Sequence, residues 1–482
     1  MKKLGCCLLA LMVLLGGFLF SACNNANQTD DPNESEFLES ETDGPVDRYA
    51  DYGFESVDLE ERSYCILTLA GYNDTHHFVV DDIDGTTLNE ASFSRTQYVN
   101  EVYNCNLTFW EGNPDLLIHD CITGGTHDFD LVYPHPTSSI VKMMTSNYFA
   151  NLLECDTLRL DEPWWNQSQV ENYSVNNKLF LAVSDYSITG QGFAAILYNK
   201  KLYHDAGFDE DIYQLVKDGN WTMEQLYTMV KQFGGDTNGD TVIDEKDTFG
   251  LAFQSGYSSR FMYGMDQFIF DYSGEEIKLG LDQEGVSRVV SSLYKLLWES
   301  DQKVFVESCI NSGWPTSNLW KIYSENRALF MTFDVGGMFP MLSNLIEKPG
   351  YLPIPKYDSE QKDYLIVCAS GFFAIPNCAE DIEKSGLILD ALSYISYIDM
   401  RPAFFERILG GRMSDHPDDF EMLNFLHSKK VFDLGYTMDE GGYARDMVQK
   451  IVVDGKSVNV SSYWRMNSAF MNTIVTKLKQ FP

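Results

Sequence analysis

Short apolar runs alternate with longer amphipathic stretches along the chain from residue 61 onwards. Residues 64–70, 106–110 and 128–133 are short and apolar, which predicts strands. Residues 84–103 lie between the first two runs and carry apolar side chains at helical spacing, which predicts a helix. Because alternating strands and helices are typical of a mostly parallel sheet, the pattern predicts an α/β fold.

A polar segment at residues 184–192 separates two predicted strands at residues 179–183 and 193–198. This arrangement suits a chain that leaves one sheet and enters another. Thr222 precedes a longer predicted helix and is its expected N-cap. Farther along, a predicted strand at residues 328–333 runs into DVGGM, and this small-residue turn suggests a second crossing.

The chain has 482 residues, which is too long for one ordinary core and suggests two lobes. Its 35 Lys and Arg against 71 Asp and Glu give a formal charge of −36, so nucleic acid and anionic lipid surfaces are excluded as expected partners. The ten cysteines show no metal-ligand spacing. Most of them are expected to be small buried residues, although one or two disulfides remain open.

The first residues have the pattern of an export signal. A positive start, an apolar run and a small-residue end predict a signal peptide over residues 1–22, with an apolar run too short for a permanent membrane helix. The sequence FSAC ending at Cys23 resembles a bacterial lipobox, which implies lipidation of Cys23. Phe20 stands where Leu is usual, so simple secretion is the alternative. Residues 23–60 are acidic and poor in apolar side chains, which predicts a disordered tether.

The segment YNKKLYHDAG at residues 198–207 matches the pattern Y-N-K-x-L-[FY]-x-x-A-G. In this position it resembles the family 1 extracellular solute-binding proteins of bacterial ABC importers. The resemblance implies a type II periplasmic-binding-protein-like fold, in which two lobes with mostly parallel sheets flanked by helices are joined by a hinge. The N-terminal lobe is then expected at residues 61–183 and 334–376, and the C-terminal lobe at residues 184–333 and 377–482.

The same resemblance implies a function of capture without chemistry. A substrate-binding lipoprotein of this kind is an anchored monomer on the outer face of the cytoplasmic membrane that delivers a solute to a permease. Aromatic residues make up 14% of the chain, which favours an oligosaccharide as the solute, because sugar C–H faces stack on aromatic rings. A surface glycan-active enzyme and a carbohydrate-binding or sensor lipoprotein without a transporter remain alternatives.

Ligands of two-lobed α/β proteins are expected near the carboxyl ends of strands and near the crossings. The candidate ligand-binding residues follow the first and third strands, occupy the two crossings, or lie in the second lobe. They are Tyr72, Asp74, Tyr133, Asp185, Tyr186, Trp314 and Asp334. No recognised catalytic motif accompanies them.

Residues 236–247 read DTNGDTVIDEKD and carry oxygen ligands at the spacing of an EF-hand loop. The loop is similar to those of cellulosomal dockerins, and it predicts a structural Ca²⁺ site. Two departures are Thr241, where glycine is usual, and aspartate in place of glutamate at the last position. The alternative is a solvated acidic turn. The expected ligands are Asp236, Asn238, Asp240, Val242 (through its carbonyl), Asp244 and Asp247.

Overall fold

Strands and helices alternate from Arg62 onwards in the computed structural model, as the apolar pattern predicts. The structure describes residues 48–54, 56–71, 77–135, 139–274, 276–308 and 317–482. Residues 51–482 form one unit and the preceding residues another, and the fold below is that of the first of these. The predicted signal peptide and Cys23 lie outside the described residues.

The strands run in chain order as β1 (Arg62–Leu69), β2 (Cys105–Gly112), β3 (Leu131–Tyr133), β4 (Ala182–Val183), β5 (Ala194–Tyr198), β6 (Gly234–Gly235), β7 (Thr248–Gln254), β8 (Phe270–Asp271), β9 (Lys278–Leu279), β10 (Val304–Glu307), β11 (Ala328–Asp334), β12 (Gly350–Leu352), β13 (Ile366–Cys368), β14 (Phe372–Phe373) and β15 (Lys430–Phe432).

The helices are α1 (Thr87–Tyr103), α2 (Pro114–Gly124), α3 (Ile140–Thr145), α4 (Gln167–Tyr173), α5 (Ile188–Gln191), α6 (Lys200–Asp205), α7 (Ile212–Lys217), α8 (Met223–Gln232), α9 (Ser258–Gly264), α10 (Gln283–Trp298), α11 (Asn318–Ser324), α12 (Val335–Leu342), α13 (Ile382–Ile395), α14 (Pro417–Ser428), α15 (Leu434–Met438) and α16 (Val460–Lys477). Three π-helical segments lie at Ser396–Met400, Ala403–Gly410 and Gln449–Asp454. Thr222 caps α8 through its side chain, as predicted.

The first sheet has the strand order β2-β1-β3, and its strands are parallel. Its centre is apolar, because Ile66 and Leu67 of β1 and Leu131 of β3 are completely buried. An antiparallel bridge joins Val132 of β3 to Ala374, and β14 pairs with β4 just before that bridge. The bridge at Ala374 links the two-stranded β14–β4 sheet to the first sheet, so the chain leaves this region from β4.

The second sheet has the order β10-β7-β11-β5-β12, with β6 added beside β7. Strands β7, β10 and β11 are parallel, whereas β5 runs antiparallel to β11. The chain passes from β4, which pairs with β14, to β5 of the second sheet through α5, at the residues where the first crossing was expected. At this crossing Gly190 lies so close to Gly371 that a β-carbon on either would meet the other's backbone.

The return crossing lies later than the turn after β11 that we expected. Asp334 caps α12, and β12 then pairs with β5, so residues 350–352 belong to the second sheet and not to the N-terminal lobe. The small residues DVGGM serve close packing: a β-carbon on Gly336 would lie 2.8 Å from the Cα of Gly192. The chain regains the first sheet only at β14.

Residues after β14 were expected in the C-terminal lobe, but α13 and the two π-helical segments that follow it pack against α1 beside the first sheet. Buried Asp390 of α13 explains this placement. Its carboxylate accepts hydrogen bonds from the indole N–H groups of Trp164 (3.0 Å) and Trp165 (2.8 Å) and from Arg159 Nε (2.9 Å). In contrast, α16 packs on α10, and α10 also contacts α8 and strand β10 of the second sheet. The C-terminal helix α16 therefore lies on the side of the second sheet.

The folded unit also begins before residue 61, the boundary predicted for the end of the tether. Tyr52 is buried and its hydroxyl donates to Asp390 at 3.0 Å, and Leu59 is buried as well. Tyr52 and Leu59 supply apolar surface to the folded unit, but they are two side chains in an otherwise acidic segment, so its composition predicts disorder. The tether boundary is therefore corrected to lie before Tyr52.

The six described cysteines beyond residue 60 are free thiols. Five are buried and Cys65 is half-buried, which agrees with their expected role as small apolar residues. Within the described ranges, no helix has both the length and the apolar character needed to cross a membrane.

Candidate functional site

Polar and aromatic side chains meet where β7 and β11 end. These strands are parallel, so their carboxyl ends lie at the same edge of the second sheet. A 3-10 turn at Ser255–Tyr257 and then α9 follow β7, and Asp334 ends β11. We call the group at this edge the site cluster. It comprises His135, Tyr257, Arg260, Asp334, Tyr436 and Arg445.

Arg260 of α9 is the centre of the site cluster. Its Nη1 donates to the hydroxyl of Tyr436 and, at 3.0 Å, to Ser259 Oγ. Its guanidinium carbon lies 5.3 Å from the ring centre of Tyr436 and 6.0 Å from that of Tyr257, which are cation–π distances. Burial raises the pKa of Asp334, while the N–H of Gly337 and the charge of Arg260 act in the opposite direction.

Asp433 holds α15, and therefore Tyr436, against α9 and β8. The buried carboxylate caps α15 at Gly435 N (2.8 Å) and also accepts from the hydroxyl groups of Tyr263 (2.7 Å) and Tyr272 (2.9 Å). It further accepts the backbone N–H of Ile269 at 2.7 Å. One side chain thus joins α15 to residues 263–272, which lie 161–170 positions earlier in the chain, and places Tyr436 beside Arg260.

A second buried carboxylate, Asp439, positions Arg445. It accepts the backbone N–H groups of Tyr443 (3.0 Å), Ala444 (2.7 Å) and Arg445 (2.8 Å), which folds the loop tightly after α15. Arg445 pairs with Asp446 through two hydrogen bonds of 2.8 and 3.0 Å. Its Nη1 is buried without a hydrogen-bond partner among the described residues.

His135 brings the first sheet into the same neighbourhood, since it lies two residues beyond the end of β3. Burial lowers its pKa, and the charge of Arg445 lowers it further, so the imidazole is neutral at physiological pH. The site cluster therefore combines two guanidinium groups, two aromatic rings and a neutral imidazole. Such groups donate hydrogen bonds to oxygen-rich ligands and stack on their apolar faces.

Two of the predicted ligand-binding residues, Tyr133 and Tyr186, are fully buried in an aromatic group with Phe78 and Phe373. The Tyr133 hydroxyl lies 2.8 Å from Ser187 Oγ, and the Tyr186 hydroxyl donates to the carbonyl of Phe78 at 3.0 Å. These contacts fasten the first crossing to the first sheet. Ligand contact by either ring stays a prediction.

The predicted carboxylates Asp185 and Asp334 lie in different surroundings. Asp334 joins the site cluster beside Arg260, and its carboxylate accepts the N–H of Gly337 at 2.6 Å. Asp185 lies 3.6 Å from Arg401 and interacts with the charge of Lys430, and burial raises its pKa. The remaining candidates lie outside the described residues, namely Tyr72, Asp74 and Trp314.

Comparison with known proteins identifies the architecture. No family model matches the sequence, and no curated protein matches it either. Among solved structures, the GacH receptor of Streptomyces glaucescens is 12% identical, with a TM-score of 0.55, and covers 88% of this chain and 100% of its own. Lmo0181 of Listeria monocytogenes, an ABC substrate-binding protein, is 13% identical with a TM-score of 0.55, and covers 88% of this chain and 100% of its own.

A family 1 extracellular solute-binding protein of Bifidobacterium longum subsp. infantis is 13% identical, with a TM-score of 0.53, and covers 84% of this chain and 99% of its own. The chain has the fold of the family 1 extracellular solute-binding proteins. In this solute-binding-protein fold, the site cluster lies at the carboxyl ends of strands, where two-lobed α/β proteins hold their ligands.

The acidic loop of this solute-binding-protein fold lies between β6 and β7. Asp236 accepts the N–H groups of Gly239 (2.6 Å) and Thr241 (2.8 Å), and Asp247 accepts those of Thr237 and Asp244, both at 3.0 Å. The N–H groups of Asp244 and Thr237 hold the pKa of Asp247 below its usual value.

Thr241 has a φ of 69°, so the position where glycine is usual does take the left-handed conformation. Among the described residues, no three or more acidic, histidine or cysteine side chains are arranged to hold a metal ion. The predicted Ca²⁺ site, with Asn238, Asp240 and Val242 as its other ligands, stays a prediction.

Sequence reasoning found Asp334 but missed the other five members of the site cluster, namely His135, Tyr257, Arg260, Tyr436 and Arg445. The rule that ligands gather after strands also points to Tyr257 and Arg260, which follow β7, and to His135, which follows β3. Nothing local marks Tyr436 or Arg445, because only the contacts of Asp433 and Asp439 bring their loop to this sheet edge.

Proposed function

We propose that this protein binds an extracellular solute and delivers it to a membrane permease of an ABC importer. The observation that carries the proposal is the site cluster at the strand ends of a solute-binding-protein fold. The solved structures with this fold include the GacH receptor with acarbose and Lmo0181 with cycloalternan. Both ligands are sugars, and an oligosaccharide is the solute we propose here.

The chemistry of the site cluster favours such a ligand. Sugar hydroxyls need paired donors, which the guanidinium groups of Arg260 and Arg445 supply, and sugar C–H faces need aromatic surface, which Tyr257 and Tyr436 supply. Both rings are only 6% exposed, so a solute reaches them only when the surrounding elements move apart. Opening and closing about the crossing at residues 184–192 is the motion that we propose.

We further propose that the protein binds its solute without cleaving it. A glycosidase needs two carboxyl groups free to act as acid and base. In the site cluster, Asp334 is engaged by the N–H of Gly337, and Asp446, beside the cluster, is held by both arms of Arg445. A lipid anchor at Cys23 would hold the monomeric protein at the outer face of the cytoplasmic membrane, close to the permease.

Isothermal titration of the purified protein with a panel of oligosaccharides tests this proposal. We expect saturable binding of at least one oligosaccharide, and the same glycan unchanged on chromatography after incubation. Cleavage of the glycan would favour an enzyme instead, and no binding by any sugar would contradict the carbohydrate assignment.

Two variants then test the site cluster. Arg260→Gln should weaken the affinity about tenfold or more, since hydrogen bonds from a charged donor contribute about 1.5–3 kcal/mol. Tyr436→Phe removes only the hydroxyl that Arg260 contacts and should cause a smaller loss. The control Arg288→Gln removes an exposed arginine that pairs with Glu284 on the surface of α10, and should leave affinity unchanged. Equal affinities for all three variants would place the solute elsewhere.

A further inference from the structure

Two cavities meet behind the first crossing, and no described residue that lines them belongs to the site cluster. The larger has a volume of about 350 Å³ and the smaller about 150 Å³. Arg401 and His427 line both cavities, so the two cavities are neighbours on either side of these side chains, and we treat them together as one space. The smaller cavity extends to Asp185, Gly190 and Lys430, which ties the space to the segment that joins the two sheets.

Positive charge faces this space. Lys430 is buried, and its Nζ donates to the carbonyls of Gly190 (2.8 Å) and Gln191 (3.4 Å). The guanidinium of Arg401 lies 3.6 Å from Asp185, which is longer than an ordinary hydrogen bond. The Arg401 side chain is 38% exposed, so a second partner can reach it from solvent.

His427 supplies a buried polar atom without a partner. Its Nε2 is buried and makes no hydrogen bond with any described residue, and its ring packs edge-on against Phe405 at 4.7 Å. Burial lowers its pKa, and the charges of Lys430 and Arg401 lower it further, so the ring is neutral. A neutral imidazole protonated at Nε2 can donate to an anion. Because a buried polar atom without a partner is rare in native proteins, the geometry indicates that a ligand or water belongs there.

The larger cavity also offers apolar surface beside these donors. Tyr397, Phe405 and Phe420 line it, together with Ile398 and Pro402. An inorganic ion would leave these groups uncovered, whereas an organic ligand would bury them. Glu406 lines the same cavity but is exposed, so solvent screens its charge.

We propose that this space is a second ligand site, distinct from the solute site, and that it takes a small organic carboxylate. The carboxylate lies between Arg401 and His427 Nε2, and the apolar body rests on Tyr397, Phe405 and Phe420. Burial lowers the pKa of Lys430 and raises that of Asp185, so Arg401 is the cation whose charge a monoanion balances. Because Asp185 and the acceptors of Lys430 belong to the first crossing, a ligand here bears directly on the joint between the two sheets.

Isothermal titration of the full chain with sodium benzoate, benzyl alcohol and inorganic phosphate tests the proposal. Benzoate has both the carboxylate and the apolar body and should bind saturably, whereas neutral benzyl alcohol should not bind. Phosphate binding without benzoate binding would mean that the site takes an inorganic anion, and the proposal would then be wrong. Equal binding of benzoate and benzyl alcohol would also overturn it, because charge would then play no part.

Variants locate the binding. Arg401→Gln should weaken benzoate binding about tenfold or more, as expected for the loss of a charge-assisted contact. Arg407→Gln is the matched control, since Arg407 is an exposed arginine in the π-helical segment that follows Arg401 and lines neither cavity.

A direct readout of His427 does not depend on any variant. Benzoate should shift the imidazole resonances of His427 in nuclear magnetic resonance spectra while leaving those of exposed His204 unchanged. Unchanged His427 resonances in the presence of saturating benzoate would overturn the proposed site. None of these outcomes depends on sugar binding, so failure here would leave the proposed transport function standing.

Discussion

Asp433 is the residue whose removal tests most directly how the site cluster is held. Its buried carboxylate accepts the hydroxyl groups of Tyr263 and Tyr272 and the backbone N–H groups of Ile269 and Gly435, at 2.7–2.9 Å. The change Asp433→Ala leaves all four donors without their acceptor. It also frees α15, which carries Tyr436 of the site cluster.

The expected loss of stability follows from these contacts. A buried donor without a partner costs about 1–3 kcal/mol, but water and relaxation satisfy some of the four. Burial raises the pKa of Asp433, so the ionised carboxylate itself carries a desolvation cost that the substitution removes. Weighing these terms, we expect Asp433→Ala to lower the free energy of unfolding by about 4 kcal/mol. This is a large fraction of the roughly 5–15 kcal/mol typical of a folded domain.

Denaturant unfolding followed by circular dichroism measures this change. Asp454→Ala is the control, because Asp454 is exposed at the end of a π-helical segment and should alter stability by no more than about 0.5 kcal/mol. If Asp433→Ala lost less than about 1 kcal/mol, the carboxylate would not be the anchor that its contacts indicate. Loss of solute affinity in Asp433→Asn, at a concentration where the protein is still folded, would link the anchor to the site cluster.

Three further predictions concern pH, metal and backbone packing. Burial lowers the pKa of His135, so the folded protein takes up its proton less readily than the unfolded chain does, and the contribution of His135 to stability is present above the usual histidine pKa of 6.5 and lost as the pH falls. The melting temperature should therefore drop between about pH 7.5 and about pH 5.5. This drop should be smaller in the variant His135→Gln. If the acidic loop binds Ca²⁺, the metal should raise the melting temperature of the protein, and a chelator should reverse this rise. The variant Asp236→Asn should show no rise. If Ca²⁺ does not change the melting temperature of the unmodified protein, the loop is a solvated acidic turn and not a metal site. Gly371→Ala should lower the free energy of unfolding by about 2–4 kcal/mol in denaturant titrations, because Gly371 has a φ of 80° and its new β-carbon would clash with Gly190. Gly207→Ala is the control, because Gly207 has a φ of 77° but open space around it. Its smaller loss of stability measures the cost of the backbone conformation alone.

Local patterns predicted the elements well where apolar periodicity was strong. The predicted helix at residues 84–103 is α1, and the predicted strand at residues 106–110 lies within β2. The first crossing was also predictable, because a polar segment with glycines separates two short apolar runs and matches the resemblance. The second crossing was not predictable from the local sequence. DVGGM has the composition of a turn, but in the structure its glycines belong to α12 and allow this helix to approach the first crossing closely.

The site cluster was only partly predictable. Asp334 was found because it ends a recognisable strand. In contrast, Tyr133 and Tyr186 are aromatic residues at chain positions where ligand contacts are expected, after a strand and at the first crossing. Both are nevertheless buried in an aromatic group that holds the first crossing against the first sheet. Burial of a side chain depends on what packs over it, which no local pattern records.

The sequence by itself determined the order of strands and helices, the α/β class and the place of the first crossing, because these depend on periodicity and turn residues within a few positions. Only the tertiary structure decided that α13 lies on α1 and that Tyr436 and Arg445 reach the strand ends. The reason is physical: single buried carboxylates, Asp390, Asp433 and Asp439, gather donors from segments far apart in the chain or fold a loop tightly. In the sequence, these buried aspartates cannot be distinguished from the many aspartates on the acidic surface of the protein. Only their burial and their hydrogen-bond partners in the folded structure identify them.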